Sequence, residues 1–328
     1  MRVLKWMFFL ALIVAGVGAF YLLVPFGPAQ ETFVDIEPGT GTTGIATQLE
    51  KAGIVRSRYV FDAVRLVKEF SGSGGTLKAG EYKFDQPASV LGVYDRIRRG
   101  DVYTIALVVP EGYNLFDIAN AVQTAGLGSR DAFLKAAKLN VDLIQQWSPH
   151  AASLEGYLFP DTYKFDRHTT PGVMLATMVH RFGQEVQQLG LTGTDVSRTV
   201  TMASLVEKEV RFDDERAEVA SVFENRLAAG MPLQTDPAVI SASLLRGTWT
   251  GVIHESELHS DSPYNTYAHN GLPPGPICNP GLAAFKAAMH PAQTDYLYFV
   301  ADASGRTKFA KSLDEHNANV ANYRKSQQ

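Results

Sequence analysis

The stretch Val200-Thr-Met-Ala-Ser-Leu-Val-Glu-Lys-Glu-Val210 decides how the chain is interpreted, because Glu207 and Glu209 interrupt a run of apolar residues. Its spacing predicts a helix with a broad apolar arc, and each glutamate lies at one edge of that arc. A carboxyl that is buried among apolar groups holds its proton to a higher pH than one in water. Such a carboxyl can act as a general acid near neutral pH.

A second interpretation is that both glutamates lie at the rim of the helix and pair with Lys208, Arg211 or Arg216. The helical wheel leaves this open. It does not choose between the two glutamates either, because both have apolar neighbours. Two positions along a helix differ by about 200° of rotation, so only one of the carboxyls can face a given groove.

Composition limits the class of protein. The chain has 328 residues, of which 45% are hydrophobic and 20% charged, and this is enough for two packed domains. The net charge of -4 gives no reason to expect nucleic acid as a partner. A single cysteine, Cys278, cannot form an intrachain disulfide, so the core alone must stabilise the fold.

The N-terminus predicts a membrane anchor. The run from Trp6 to Val24 contains no charged residue and is long enough to span a bilayer. It is longer than the apolar part of a usual signal peptide and no clear cleavage site follows it, so we expect it to be retained. Arg2 and Lys5 should remain in the cytoplasm, which places everything after Pro25 on the outer side of the membrane.

The segment after the anchor predicts a β-α-α-β unit. Its strands are expected at 32–36 and 77–84 and its helices at 43–52 and 57–70. The order of elements resembles that of a LysM-type carbohydrate-binding module. The next segment echoes it in part, with a strand at 103–109 and helices at 115–125 and 130–137.

A glycine pattern between the first strand and helix, Gly39-Thr-Gly41-Thr-Thr-Gly44, matches the dinucleotide-binding fingerprint. We reject that interpretation, because the helix is followed by another helix and not by the parallel strand that such a unit requires. The glycines are better explained by turns.

The second half predicts mostly helix. Periodicity is poor from Asn140 to Pro160, and the aromatic segment 154–163 is interpreted as a linker that packs against a neighbour, with a domain boundary near it. Helices are expected at 171–189 and, after a Thr194 cap, at 195–210; further helices start near Asp213, near Asp236 and at Asn279-Pro280, and one covers 313–323. A hairpin is expected from 296–300 and 306–310.

A long loop carries tyrosines and amides in Ser262-Pro-Tyr264-Asn265-Thr-Tyr267, followed by Gly271-Leu-Pro-Pro-Gly-Pro276. Aromatic rings beside amides suit a sugar-binding groove, because they offer a flat apolar face and directional hydrogen bonds. The same tyrosines could equally be packed for structure.

Six ordered blocks together resemble the YceG/MltG-like endolytic murein transglycosylases. They are Ala203-Ser-Leu-Val-Glu207-Lys-Glu, Ser221-Val-Phe-Glu-Asn225-Arg-Leu, Met231-Pro-Leu-Gln234-Thr-Asp-Pro237, Tyr264-Asn-Thr-Tyr267, Gly271-Leu-Pro-Pro-Gly275 and Tyr296-Leu-Tyr-Phe-Val300. The resemblance also takes in the anchor and residues 154–163, and it is weakest over residues 30–150.

The resemblance implies an α+β protein in three parts: a short cytoplasmic N-terminus and transmembrane helix (1–28), a LysM-like and connecting subdomain (29–150), and a mostly helical catalytic domain with a small β-hairpin (151–328). It implies lytic cleavage of the β-1,4 bond between MurNAc and GlcNAc in peptidoglycan glycan strands, with 1,6-anhydro-MurNAc ends, action as a terminator of glycan elongation, and penicillin-binding-protein synthases as partners. No cofactor is implied. The catalytic glutamate corresponds to Glu207, and Gln234, Tyr264 and Asn265 are the candidates for substrate binding.

Other chemistries find less support. His254-Glu255 is followed by His259, which is one position too far for a zinc-protease helix, so no metal site is expected. Ser204 lies four residues from Lys208, not three, which argues against a penicillin-type acyl enzyme. The remaining alternative is a non-enzymatic glycan-binding scaffold for cell-wall synthases, in which Glu207 is structural.

Overall fold

The computed structural model describes residues 2–193 and 195–326, and the chain divides into two compact units, Met1–Thr104 and Ile105–Gln328. Thr194, the predicted helix cap, lies outside the described residues. The predicted α+β class is confirmed, since helices dominate and the strands of the described residues form two-stranded antiparallel sheets.

The first unit contains α1 (Arg2–Leu23), β1 (Thr32–Ile36), α2 (Thr42–Lys51), α3 (Arg58–Phe70), β2 (Gly80–Phe84) and α4 (Val90–Arg99). Strands β1 and β2 pair in an antiparallel register that sets Thr32 opposite Phe84. The β-α-α-β order is as predicted, although β2 starts three residues later than expected. Helix α4 was not predicted, and its buried face completes the core of this unit. The likeness to LysM modules stays a prediction.

Helix α1 is long and apolar enough to cross a membrane: Leu4–Leu23 has a mean hydropathy of 2.3 and is not buried by the rest of the chain. Its end is held to the first unit. The Arg56 guanidinium lies 4.6 Å from the ring centroids of both Phe20 and Phe26 and donates to the Pro25 carbonyl at 3.2 Å.

The second unit begins with β3 (Ile105–Val109), α5 (Leu115–Thr124), α6 (Arg130–Leu139), β4 (Asp161–Phe165) and α7 (Pro171–Gln188). It continues with α8 (Asp195–Glu209), α9 (Arg216–Ala228), α10 (Asp236–Arg246), α11 (Glu255–Leu258), α12 (Leu282–Met289), β5 (Tyr298–Ala301), β6 (Thr307–Ala310) and α13 (Leu313–Ser326). The predicted helices near 171, 195, 236 and 313 and the predicted hairpin of β5 and β6 are present.

The segment 140–165 corrects the sequence interpretation. It is not a linker, because Leu154, Tyr157 and Leu158 are fully buried in the core of the second unit. Strand β4, which was not predicted, pairs with β3 so that Ile105 lies opposite Phe165. These hydrogen bonds cross the predicted boundary at 150/151, and the compact units accordingly divide at 104/105. The roles given to the predicted domains stay predictions.

Helix α8 runs through the core of the second unit, and its residues from Val200 to Val206 are buried, as the apolar arc predicted. Gly156 allows the close approach, since a Cβ there would lie 2.8 Å from Val200 and 2.4 Å from Pro276, and its φ is +87°. The last core helix, α12, begins at Leu282 and not at Asn279-Pro280. The Asn279 side chain does not cap it, because its amide is bound elsewhere in the core.

Candidate active site

Glu207 and Glu209 lie at the carboxyl end of α8, on different sides of the helix. Glu207 contributes to a cleft beside β3 and α5, whereas Glu209 contributes to a smaller cavity beside the start of α10. The separation follows from helical geometry, since two positions correspond to about 200° of rotation. Glu207 and Glu209 therefore line different cavities.

Glu207 lines its cleft and is held there by two donors. Its Oε1 accepts from Arg216 Nη2 at 3.3 Å, and its Oε2 accepts from the backbone N–H of Gly281 at 3.0 Å. The side chains of Glu207 and Arg216 are only 7% and 8% exposed, so this ion pair is shielded from water. Asp213 fixes Arg216 from the other side, with Nε and Oδ1 2.9 Å apart. The rim pairing that the sequence left open is thus present for Glu207.

The cleft beside Glu207 has a volume of about 790 Å³. Its walls combine apolar residues of β3 and α5 with hydrogen-bonding groups, and this combination binds sugar rings well. The polar and aromatic side chains that line it together with Glu207 are those of Glu111, Tyr113, Asp117, Asn120, Thr124 and Lys208.

Glu111 is a second carboxyl in the same cleft, and the sequence did not single it out. A Cβ atom on Gly281 would lie 1.9 Å from the Glu111 carboxyl carbon, so this carboxyl rests against the glycine that also binds Glu207. Burial, and then the charge of Glu207, raise the pKa of Glu111. The sequence gave no indication of a functional role for Glu111, which lies two residues after β3, because the residues around it are distant along the chain.

Asn279 is fully buried and connects the walls of the site. Its Oδ1 accepts from the Leu158 N–H at 2.9 Å, and its Nδ2 donates to the Tyr113 carbonyl at 2.9 Å and to Glu155 Oε1 at 3.0 Å. Its backbone also pairs with the loop after β3, through bonds of 2.9 Å from Gly112 N–H and 2.8 Å to Tyr113 O. These bonds fix that loop beside the start of α12.

Glu155 is a third carboxyl of this region. Besides Asn279, it accepts from the backbone N–H of Leu115, the first residue of α5, at 2.9 Å. Burial raises the pKa of Glu155 to about 8, so the group keeps its proton at neutral pH. Burial and the nearby Glu155 also raise the pKa of Tyr264. Glu155 therefore joins α5 to the segment that precedes α12.

Glu209 lines a cavity of about 260 Å³ on the other side of α8. Within the part of the chain that the structure describes it forms no ion pair, since Arg216 is bound to Glu207 and Asp213. Burial raises the pKa of Glu209 to about 7, and the charge of Asp236 acts in the same direction.

Glu209→Gln should remove a pH-dependent loss of stability. The native pKa of about 7 exceeds the ordinary value of 4.5, so the wild-type free energy of unfolding should fall as pH rises from about 4.5 through 7. The full loss is about 3 kcal/mol, at about 1.4 kcal/mol per pKa unit. Relative to wild type, the variant should therefore gain stability between pH 5 and pH 8 in denaturant titrations. Glu255→Gln, an exposed glutamate of α11, is the control; equal pH slopes for wild type and Glu209→Gln would contradict the assignment.

Gln234, a predicted substrate-binding residue, lies at the cavity of Glu209 and not at the cleft of Glu207. It is exposed, and its φ of +54° is the only positive value for a non-glycine residue among those the structure describes. Its backbone N–H donates to the Thr266 carbonyl at 3.0 Å.

Asn265 and Tyr264 serve the packing of the long loop. Asn265 is fully buried: its Nδ2 donates to carbonyls of Leu258 and Ser260 at 2.9 and 2.8 Å, and its Oδ1 accepts from the Tyr267 N–H at 3.0 Å. Tyr264 is half-buried against the core. Of the four predicted site residues, only Glu207 lines the larger cleft. Substrate binding by the other three stays a prediction.

Comparison with known proteins agrees with the sequence motifs. The profile of the YceG-like family matches residues 34–322. The chain is 33% identical over 319 aligned residues to the endolytic murein transglycosylase of Bacillus subtilis, covering 90% of this chain and 86% of that protein. It is 31% identical over 360 aligned positions to the endolytic murein transglycosylase of Streptococcus pneumoniae D39, covering 98% of this chain and 65% of that protein.

A crystal structure of a yceG-like protein, lmo1499, from Listeria monocytogenes superposes with a TM-score of 0.57 at 31% identity, covering 89% of this chain and 99% of that one. The chain therefore belongs to the YceG-like family, which confirms the predicted resemblance. Its curated relatives in Bacillus and Streptococcus are named endolytic murein transglycosylases.

Proposed function

We propose that this chain is a membrane-anchored endolytic peptidoglycan transglycosylase, which cleaves the β-1,4 bond between MurNAc and GlcNAc and leaves 1,6-anhydro-MurNAc ends. The main support for the proposal is Glu207: in a chain of this family, a shielded carboxyl lines an open cleft of about 790 Å³. No metal or cofactor is required for this reaction.

The chemistry needs a carboxyl and the substrate's own hydroxyl. Ordinary glycosidases use two carboxyls, one of which activates water or attacks the sugar. In a lytic cleavage the C6 hydroxyl of MurNAc replaces the water. Glu207 protonates the glycosidic oxygen as the bond to C1 breaks, and its carboxylate then removes the proton from the C6 hydroxyl as that oxygen bonds to C1. The proton is returned, so the enzyme is unchanged.

Substrate-binding roles are proposed for three further residues. Gln234 and Tyr264 offer an exposed amide and a half-buried ring on surfaces that a long glycan strand could reach. Asn265 supports substrate binding indirectly, by holding the loop in place, because its side-chain amide is fully hydrogen-bonded within that loop. The LysM-like part of the first unit would add a second glycan contact.

The anchor sets where the enzyme works. Helix α1 would cross the inner membrane once, with Arg2 and Lys5 in the cytoplasm and the second unit in the periplasm or outside. A catalytic domain held there meets nascent glycan strands close to the synthases that make them. Cleavage of such strands would terminate their elongation, and penicillin-binding-protein synthases would be the partners.

The products of digestion test the proposed function. Full-length protein in detergent micelles, incubated with purified peptidoglycan, should release fragments that end in 1,6-anhydro-MurNAc, lighter by one water than hydrolytic ends. Mass spectrometry distinguishes the two. Reducing ends alone would show hydrolysis, and binding without cleavage would favour the glycan-binding scaffold.

A further inference from the structure

Glu111 and Glu207 are two carboxyls of one cleft that meet at Gly281. Glu111 lies on the turn directly after β3 and is exposed to the cleft. Its carboxyl carbon lies 1.9 Å from the position that a Cβ on Gly281 would occupy. The N–H of the same glycine is bound to Glu207 Oε2 at 3.0 Å.

The surroundings of the two carboxyls differ. Both oxygens of Glu207 face groups that can only donate, the Arg216 guanidinium and the Gly281 N–H. Glu111 has no hydrogen bond or ion pair among the residues that the structure describes. Although Glu111 is exposed to the cleft, partial desolvation and the negative charge of Glu207 raise its pKa, against the opposing effect of Arg216. The Glu207 carboxyl is therefore held in place by two donors, whereas the Glu111 carboxyl is left to meet a substrate in the cleft.

We propose that Glu111 is the acid and Glu207 the base of the cleavage. This rests on the proposed function, whose reaction and products it keeps, and it replaces the scheme in which Glu207 makes both proton transfers. Glu111 gives its proton to the glycosidic oxygen, which takes the electron pair of the breaking C1–O bond. The C6 oxygen bonds to C1, and its proton goes to Glu207. Transfer of that proton from Glu207 to Glu111 restores the starting state, so no co-reactant is consumed.

The charged groups around Glu111 define the pH dependence that follows. They are Glu207 and Lys208 on α8, Arg216 on α9, Asp213 before it, and Asp117 on α5. Arg216 and Asp213 are bound to each other, and Lys208 Nζ lies 3.4 Å from the Gly112 carbonyl. Cleavage should slow at high pH, where Glu111 loses its proton.

Glu111→Gln tests directly whether Glu111 is the acid of the cleavage. In the full-length protein we expect the rate of 1,6-anhydro end formation to fall by about 10²–10⁴-fold, because the variant has no proton to transfer. The high-pH limb of the rate profile should disappear with it, which a merely structural role would not cause. Glu255→Gln, an exposed glutamate outside both cavities, should keep the wild-type rate and profile.

Gly281→Ala is a second variant that leaves both carboxyls in the sequence. Its φ of −83° suits alanine, but the new Cβ would displace the Glu111 side chain, so the rate should fall as in Glu111→Gln. If Glu111→Gln does not fold, the rate of Gly281→Ala still tests whether Glu111 is the acid. If wild type forms anhydro ends and both variants match its rate and profile, the role of Glu111 is wrong while the proposed function stands. If wild type forms none, both proposals fail.

Discussion

Glu207→Gln should reduce the rate of peptidoglycan cleavage by about 10²–10⁴-fold or more, because the amide keeps the volume of the side chain but cannot exchange a proton with the substrate. The variant should remain folded. Its amide oxygen can accept from only one of the two donors that now bind Glu207, Arg216 Nη2 and the Gly281 N–H. We expect this to lower the free energy of unfolding by about 1–3 kcal/mol.

The matched control is Glu209→Gln, which makes the same chemical change two positions away on the other side of α8. It should retain most of the activity, since Glu209 lines a different cavity. Initial rates of anhydro end formation and denaturant titrations on the same preparations separate activity from stability. An inactive, well-folded Glu209→Gln beside an active Glu207→Gln would move the active site to the smaller cavity.

Asn279→Ala should lower the free energy of unfolding by about 3 kcal/mol and reduce cleavage as well. The substitution removes three side-chain hydrogen bonds and leaves the Leu158 N–H and Glu155 Oε1 without these partners in a buried region. It also frees the loop after β3 from one of its attachments to the segment before α12. Denaturant titration measures the first effect, and the rate at a temperature where the variant is folded measures the second.

Asn270→Ala is the control for this prediction. Asn270 is exposed and makes one side-chain bond, to the Gly230 carbonyl at 3.1 Å, so its loss should cost no more than about 1 kcal/mol. If Asn279→Ala unfolds at the same denaturant concentration as wild type, the network around Asn279 does not hold the site together.

Most helices could be predicted from the sequence, because their apolar spacing is a local property. Helix α7 was expected at 171–189 and is found at Pro171–Gln188, and α8 matches its prediction to within one residue. Strand β4 was missed for the opposite reason. Its five residues become a strand by pairing with β3, which lies far away along the chain.

The candidate site shows the same contrast between features that are local in the sequence and features that depend on tertiary packing. The sequence by itself determined the family, the apolar N-terminal helix and the helix that carries both glutamates, and the helical repeat required that their carboxyls face different sides. Only the tertiary structure decided that Glu111 lies beside Glu207, that Gln234 lies at the other cavity, and that the amide of Asn265 is used within its own loop. Periodicity reports which face of one element is buried, whereas the partners of a side chain depend on chain segments that only packing brings together.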